Sequence, residues 1–175
     1  DEFLERVVER PGGLVTREGA AERPVEAREV ALRYRTESGS AERRFTVYRT
    51  AHGPVVRAAP GRWVSVALME RPVEALAQSF LRTKARSLEE YLAATAARAN
   101  SSNNTLFADA GGRIAYLHAE FVPVRDPRFD YSKPVDGGDP ATAWRGVHPF
   151  AELPNAVDPV TGWVANTNDW AYSAA

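Results

Sequence analysis

The chain has 175 residues, enough to bury the core of one domain or of a large part of one. Its net charge of −1 gives no sign of a nucleic-acid or anionic-membrane partner, and the absence of cysteine excludes disulfides, thiolate catalysis and cysteine-based metal sites. No apolar run reaches the ~18 residues of a membrane span, and no signal peptide opens the chain. Because Asp1 leads directly into an apolar pattern, we expect an excised or processed segment.

The first seventy residues are predicted to form mainly strands. Short stretches in which apolar side chains alternate with polar ones, or stand together, occur at 3–8, 30–35, 44–48, 55–56 and 63–67. The first is compatible with a strand or a short helix, and the stretch over 17–29 that follows it is polar. The second and third stretches, joined by a Glu-Ser-Gly-Ser turn, predict an antiparallel hairpin.

Helices are predicted over 73–100, where apolar residues recur at helical spacing. Ser87, followed by Glu89 and Glu90, is typical of a helix N-cap, so we predict a break near Arg86 and a second helix that ends near Asn100.

A second hairpin is predicted over 105–109 and 114–118, with Gly111 and Gly112 in its turn. After Val124 the sequence becomes irregular and rich in proline and glycine. The fold class is therefore α+β, dominated by strands with a helical pair near 73–100.

Three short polar side chains follow one another closely near the end of the chain. An Asp-Pro-Val-Thr-Gly turn at 158–162 and a predicted short strand over 163–165 present Asn166, Asn168 and Asp169. An asparagine amide can donate to an oxyanion without any change of charge. Asn and Asp are also common in turns, and the spacing alone favours a capped loop over a catalytic site.

The remaining candidate residues do not form a catalytic set. His52 could act as a base, although a structural role is favoured; His118 is expected to be half-buried in a strand, and His148 to lie in a loop. These three histidines lack zinc spacing, and no Gly-x-Ser-x-Gly motif is present.

Four aspartates in the irregular region are compatible with a hard cation but lack EF-hand spacing, so turn formation is the default interpretation. They are Asp126, Asp130, Asp136 and Asp139.

Seven blocks occur in an order that resembles the β subunit of the penicillin acylases, which are N-terminal-nucleophile (Ntn) amidohydrolases. They are Arg-Thr-Ala-His-Gly-Pro (49–54), Asn-Thr-Leu-Phe-Ala-Asp (104–109), Gly-Arg-Ile-Ala-Tyr (112–116), Pro-Val-Asp-Gly (134–137), Trp-Arg-Gly (144–146), Glu-Leu-Pro (152–154) and Gly-Trp-Val-Ala-Asn-Thr-Asn (162–168). The resemblance implies that residues 1–175 are a single internal segment of the β-subunit domain, within an αββα Ntn-hydrolase sandwich.

The resemblance also implies an activity. In this family an autoprocessed precursor frees a serine that attacks an amide carbonyl, with its own α-amino group as base. Aligned on 162–168, the asparagine of the oxyanion hole falls on Asn168, and Asn166 is the second choice as a support residue. The family binds a structural calcium ion, for which Asp1 matches a ligand and the loop around Pro127 matches a backbone-carbonyl ligand. No organic cofactor is implied.

The chain departs from the family pattern in what it lacks. The nucleophile, the first strands and one oxyanion N–H lie upstream of Asp1 in the family, and a catalytic arginine lies downstream. Asn103 occupies the place of an apolar pocket residue in phenylacetyl-preferring members, which argues against penicillin G as substrate.

Two hypotheses follow from the resemblance. The first is an amidohydrolase that acts on a small-molecule linear amide, is inactive as this segment alone, and requires the α subunit and the remaining β-subunit segments. Its expected location is periplasmic or secreted, and antibiotic metabolism is one of several open roles. The second is a non-catalytic binding module on the same scaffold, since a fold does not dictate chemistry.

Overall fold

Extended backbone dominates the computed structural model, which describes residues 1–100 and 103–167. The strands are β1 Glu2–Arg10, β2 Gly13–Glu18, β3 Ala21–Pro24, β4 Glu26–Thr36, β5 Gly39–Thr50, β6 Gly53–Ala59, β7 Arg62–Val66, β8 Thr105–Ala108, β9 Ile114–Leu117, β10 Val135–Asp136 and β11 Ala156–Val157. The helices are α1 Pro72–Arg82 and α2 Leu88–Thr95, with 3₁₀ turns at Pro140–Thr142 and Phe150–Glu152. The predicted α+β class with dominant strands is confirmed.

The first of two compact units contains Asp1–Leu68 and Arg125–Trp144. Seven of its strands form a sheet in the order β3-β2-β1-β7-β6-β5-β4, in which neighbouring strands are antiparallel. β10 adds to β1 in parallel, with Phe3 opposite Val135. Phe3 is buried against Val135 and Ala67, so the returning segment completes the core of this unit.

The predicted hairpin at 30–48 is confirmed and is longer than the sequence indicated. β4 and β5 pair along their whole length, whereas β5 meets β6 at only two residue pairs at the hairpin base. One face carries exposed apolar side chains, namely those of Leu32, Tyr34, Phe45 and Val47. The opposite face carries ion pairs of Arg44 with Glu29 and with Glu42. The hairpin is therefore amphipathic.

The polar stretch at 17–29 contains β3 and the start of β4. Backbone pairing with β2 and β5 holds these strands, and ion pairs of Arg10 with Glu22 and of Arg23 with Glu18 add cross-strand contacts. A polar sequence can thus form strands because the ladder is made by the backbone.

The second unit contains Met69–Val124 and Arg145–Ala175, within which the structure describes the residues up to 100 and from 103 to 167. The helices α1 and α2 accompany a small sheet in the order β11-β9-β8. Its core is formed by Leu88, Ala115 and Leu117, each at most 1% exposed. No helix among the described residues is long and apolar enough to cross a membrane.

Both helices follow the sequence prediction at their starts. Ser87 caps α2 by accepting a hydrogen bond from the backbone N–H of Glu90 at 3.2 Å, as expected. α2 ends at Thr95, five residues before the predicted end, and Arg98 then adopts a left-handed φ of 45°. A left-handed residue cannot continue a helix, so the apolar spacing beyond Thr95 predicted too long an element.

The predicted strand at 163–165 is wrong. Those residues have no regular secondary structure, and the Trp163 side chain is 66% exposed. The strand of this region is β11, which ends six residues before Trp163 and pairs with β9. An apolar triplet forms a strand only where a neighbouring strand pairs with it, and no strand among the described residues pairs with 163–165; the carbonyl of Trp163 accepts only from the side chain of Thr161, at 3.4 Å.

Candidate active site

The Asn-rich loop begins at a turn that is fixed to the β8–β9 hairpin. Asp158, at a left-handed φ of 46°, accepts hydrogen bonds from the backbone N–H of Ile114 and the Nε of Arg113, both at 3.0 Å. The hydrogen bond from Ile114, reinforced by Arg113, lowers the pKa of the Asp158 carboxyl. This anchor confirms the predicted turn and fixes the start of the loop that leads to Asn166.

Asn166 is the last predicted site residue that the structure describes, since Asn168 and Asp169 lie outside the described residues. Its Oδ1 accepts a hydrogen bond from Nδ2 of Asn104 at 3.3 Å. The roles predicted for Asn168 and Asn166 therefore stay predictions, but Asn166 has a defined partner.

The register of the second hairpin explains why Asn104 meets His118. β8 and β9 pair with Thr105 opposite Leu117, so the residue before β8 lies beside the residue after β9. Nδ1 of His118 is 2.7 Å from Oδ1 of Asn104, and His118 is 6% exposed. The predicted half-buried strand histidine is thus a buried residue directly after the strand, within a polar chain.

A buried carboxylate lies beyond the histidine. Oε1 of Glu120 is 3.8 Å from Nδ1 of His118, and Glu120 is 9% exposed. Burial raises the pKa of the Glu120 carboxyl, and the charge of His118 opposes that rise. We name the set Glu120, His118, Asn104 and Asn166 the amide relay.

Asn155 holds the relay to the segment that carries the Glu-Leu-Pro block. Its Oδ1 accepts from the backbone N–H of His118 at 2.8 Å, and its Nδ2 donates to the carbonyls of Phe150 and Leu153, both at 2.8 Å. One side chain thus satisfies three backbone groups around the end of β9, which orients the histidine.

A cleft beside α1 includes the position singled out for substrate preference. Asn103 lies there with Met69, Gln78, Arg82 and Asn100 among the other lining residues. Buried Gln78 accepts from the backbone N–H of Ala99 at 2.8 Å and so holds one wall. The lining mixes polar and apolar groups, and the role expected of Asn103 in substrate preference stays a prediction.

His52 has the structural role that the sequence favoured. Its ring stacks on Phe3 with centroids 4.2 Å apart, and its Nδ1 lies 2.9 Å from Oε1 of Glu5. Glu5 is fully buried, and its Oε1 also accepts from the hydroxyls of Thr50 at 2.8 Å and Ser65 at 2.7 Å. We name these four polar residues the Glu5 cluster.

The electrostatics of the Glu5 cluster favour an ionised carboxylate. Burial acts to raise the pKa of Glu5, but the hydrogen bonds from His52, Ser65 and Thr50 outweigh it, so the pKa lies below its usual value. Oε2 is buried with no hydrogen-bond partner among the described residues. A Cβ at position 137 would lie 2.8 Å from Oε2, so any other residue there would require the Glu5 carboxylate to move out of its hydrogen bonds.

The other candidate residues form hydrogen bonds with residues close to them in the sequence. His148 lies 2.8 Å from Glu152 through Nδ1, in a loop as predicted. The four aspartates of the irregular region each accept a hydrogen bond from the backbone N–H two residues later, which confirms turn formation; they are Asp126, Asp130, Asp136 and Asp139.

The predicted calcium ligands do not by themselves form a calcium site. Oδ2 of Asp1 accepts from Nε of Arg125 at 2.7 Å and from Nε1 of Trp144 at 2.6 Å, so the guanidinium of Arg125 already forms an ion pair with this carboxylate. Pro127 lies in an exposed turn. Among the described residues no group of three or more His, Asp or Glu side chains could hold a metal ion. Calcium binding by Asp1 and Pro127 stays a prediction.

Sequence reasoning missed the Glu5 cluster and most of the amide relay. Glu5 and Glu120 stand in apolar surroundings in the sequence, where alternation gives no sign of burial for a charged side chain. The hairpin register did contain a signal, because equal strand lengths around the turn place Asn104 opposite His118. Asn155 carries no sequence signal beyond its position after Pro154.

Comparisons with known proteins agree with the fold. The family model for penicillin amidase matches residues 1–175. Penicillin G acylase of Escherichia coli is 30% identical over 136 residues, which are 75% of this chain and 16% of that protein. Penicillin acylase 2 proenzyme of Pseudomonas sp. (strain SE83) is 28% identical over 173 residues, which are 97% of this chain and 22% of that protein.

The structural comparison leads to the same family. A thermostable penicillin G acylase from Alcaligenes faecalis matches with a TM-score of 0.83 and 27% identity, over 100% of this chain and 31% of that one. The strand-dominated architecture is therefore that of an Ntn hydrolase. The chain belongs to the penicillin amidase family, and it spans less than a third of each of these relatives.

Proposed function

We propose that this chain is a segment of an acylase that hydrolyses a linear carbon–nitrogen amide bond, and that it supplies the asparagine of the oxyanion hole. The observation that carries the proposal is the family match over all 175 residues, reinforced by the structural likeness at a TM-score of 0.83. The proposed whole protein includes an α subunit and further β-subunit segments, and it is periplasmic or secreted.

The proposed reaction proceeds through an acyl-enzyme. The hydroxyl of an N-terminal serine, supplied by another part of the protein, attacks the amide carbonyl while its α-amino group takes the hydroxyl proton. That proton passes to the leaving amine as the carbon–nitrogen bond breaks. Water then attacks the ester and releases the carboxylic acid and the serine.

The segment's own contribution is electrostatic. During each attack the carbonyl oxygen becomes an oxyanion, which a neutral amide N–H stabilises at no cost in proton transfer. Asn168 is the proposed donor, and Asn166 is the proposed support residue. The hydrogen bond between Asn104 and Asn166 supports this assignment, because a positioned amide needs a partner that fixes its orientation.

The proposed substrate is a small-molecule amide whose acyl group is not phenylacetyl. The mixed lining of the cleft that contains Asn103 supports this choice. A panel of amides with acyl chains of graded length, given to the full-length enzyme, is expected to show highest kcat/KM for a member other than the phenylacetyl amide. The opposite ranking would remove Asn103 as a determinant of specificity.

Asn168→Ala in the full-length enzyme tests the proposed role directly. Removal of one oxyanion donor is expected to lower kcat about 10²–10³-fold while the melting temperature changes little. The paired control is Asp130→Ala, in an exposed turn outside the candidate site, which is expected to leave kcat unchanged. A near-normal kcat for Asn168→Ala would disprove the role of Asn168.

The alternative function is a binding module without catalysis. The codons that precede Asp1 distinguish the two functions, because the acylase requires a serine immediately after a processing site. Alanine or aspartate at that place, together with amide binding but no hydrolysis, would support the module.

A further inference from the structure

The amide relay is a continuous polar chain from the protein interior to an exposed asparagine. It begins at buried Glu120 and His118, passes through half-buried Asn104, and ends at exposed Asn166. The distances along it are 3.8, 2.7 and 3.3 Å. A buried polar chain that reaches the surface at a single side chain can impose an orientation on that side chain.

The relay has two self-consistent directions, because each carboxamide has one donor end and one acceptor end. In the first, Nδ1–H of His118 donates to Asn104, and Asn104 donates to Oδ1 of Asn166. In the second, Asn166 donates to Asn104, and Asn104 donates to a bare Nδ1 of His118. Only the first direction leaves both N–H groups of Asn166 available to a ligand.

The surroundings of His118 select the first direction. The negatively polarised oxygen of Glu120 lies 3.8 Å from Nδ1 and favours the form of His118 that carries a proton on that nitrogen over the form with a bare lone pair there. The backbone N–H of His118 is held by Asn155, which fixes the position from which the ring projects. With Nδ1 protonated, Asn104 must accept on the histidine side and donate on the Asn166 side.

We propose that His118 and Asn104 are positioning residues of the oxyanion hole, which hold the Asn166 carboxamide with both of its N–H groups available for its support of the proposed donor Asn168. This inference rests on the proposed acylase function. It assigns to His118 no proton transfer with the substrate, because its Nδ1–H is committed to Asn104.

Asn104→Asp in the full-length enzyme replaces the N–H donor that faces Asn166 by an oxygen acceptor, with almost no change in side-chain shape. Aspartate accepts from His118 but cannot donate to Asn166, so Asn166 must turn its own N–H groups towards position 104 and present its oxygen where its N–H groups stood. The expected result is a kcat about 10²-fold lower with KM within about twofold of the wild-type value, as for a misplaced catalytic group.

Substitutions at His118 test the other end. His118→Phe removes the donor and is expected to lower kcat by about the same factor, whereas His118→Asn places an amide N–H near the original Nδ1 and is expected to restore most of kcat. His148→Phe is the matched control, because the ring of that histidine contacts Glu152 and lies outside the relay. Its kcat is expected to be unchanged.

Melting temperatures separate positioning from folding. A merely structural role would lower the melting temperature of His118→Phe and Asn104→Asp, leave the kcat of the folded fraction normal, and give no rescue by His118→Asn. That pattern, or a rise in KM with unchanged kcat, would overturn the inference while the acylase function stands. A wild-type enzyme that hydrolyses no amide would instead overturn the proposed function, and the inference with it.

Discussion

Each of the two compact units buries a glutamate beside a histidine, and the two pairs differ in what surrounds them. Glu5 in the first unit receives three side-chain donors on one oxygen, which lower its pKa despite burial. Glu120 in the second unit lies 3.8 Å from His118, and burial raises its pKa. Hydrogen bonds keep the first carboxylate ionised despite its burial, whereas the charge of His118 offsets only part of the desolvation cost of ionising the second.

The difference separates a closed network from an open one. Every donor of the Glu5 cluster points inward to one carboxylate oxygen, so the cluster can only hold strands β1, β5 and β7 together. The amide relay continues from His118 to an exposed asparagine, so the hydrogen-bond direction set at its buried end determines the orientation of a surface side chain. A closed network serves stability, and an open network serves orientation.

Glu5→Ala is expected to have the largest effect on stability. It removes the shared acceptor of Thr50, Ser65 and His52, of which only Thr50 keeps a second acceptor among the described residues, in the carbonyl of Gly53 at 3.4 Å, and the loss costs about 3–5 kcal/mol. Urea unfolding of the full-length protein measures the loss. Glu5→Gln, which keeps the shape and one acceptor, is the control and is expected to lose less; equal losses would show that shape, not charge, matters in this cluster.

Asn155→Ala is expected to have a smaller effect, because it unpairs three backbone groups that are only partly buried. The expected loss is about 1–3 kcal/mol, measured by the same unfolding experiment. Asn155→Asp keeps the acceptor for His118 but not the donors, so it should fall between the wild type and the alanine variant. A larger loss than that of Glu5→Ala would reverse the ranking of the two networks.

The two glutamates are expected to give opposite pH dependences. The lowered pKa of Glu5 means that its contribution is complete above the unfolded value of 4.5 and is lost as pH falls through the lower folded pKa. The raised pKa of Glu120 means that its contribution is present below 4.5 and is lost as pH rises through the higher folded pKa.

Stability measured as a function of pH in Glu5→Gln and Glu120→Gln separates the two contributions. Glu5→Gln should flatten the acid side of the curve, and Glu120→Gln should be as stable as the wild type at neutral pH or more stable by less than about 1 kcal/mol. A destabilised Glu120→Gln at neutral pH would show that His118 compensates the carboxylate more than its pKa indicates.

Calcium removal is expected to have the smallest effect on the first unit. Because Asp1 already binds Arg125 and Trp144, loss of a metal would leave its carboxylate paired. Chelation of the full-length protein is expected to lower the melting temperature. An Asp1→Asn variant that keeps the full chelation response would remove Asp1 from the proposed ligands; loss of the response would establish Asp1 as a ligand.

Much of the fold could be predicted from the sequence, because alternation and helical spacing report local burial. The two hairpins, the break before α2 and its Ser87 cap follow from patterns that span only a few residues. The pairing of β10 with β1 could not be predicted, since the Val135 segment carries no pattern that names its partner. The same holds for Glu5, whose burial depends on donors 45, 47 and 60 residues later in the chain.

For the candidate site, the sequence predicted which residue types are present but not how they are arranged. The turn at 158–162 and the asparagines after it are visible in the sequence, but the strand expected at 163–165 does not form. The relay depends on a hairpin register and on Asn155, and a one-residue slip would move His118 to the other face. Positions within a site require tertiary contacts that local patterns do not encode.

The return of β10 to β1 has a consequence for the order of events during synthesis. Phe3 pairs with Val135, 132 residues later, and Gly137 closes against Glu5. At ribosomal rates of 5–20 residues per second, about 7–26 s pass between the two strands. During that interval β1 has an open edge and Glu5 is accessible to water. The carboxylate is therefore sealed late, after the helices of the second unit have already been made.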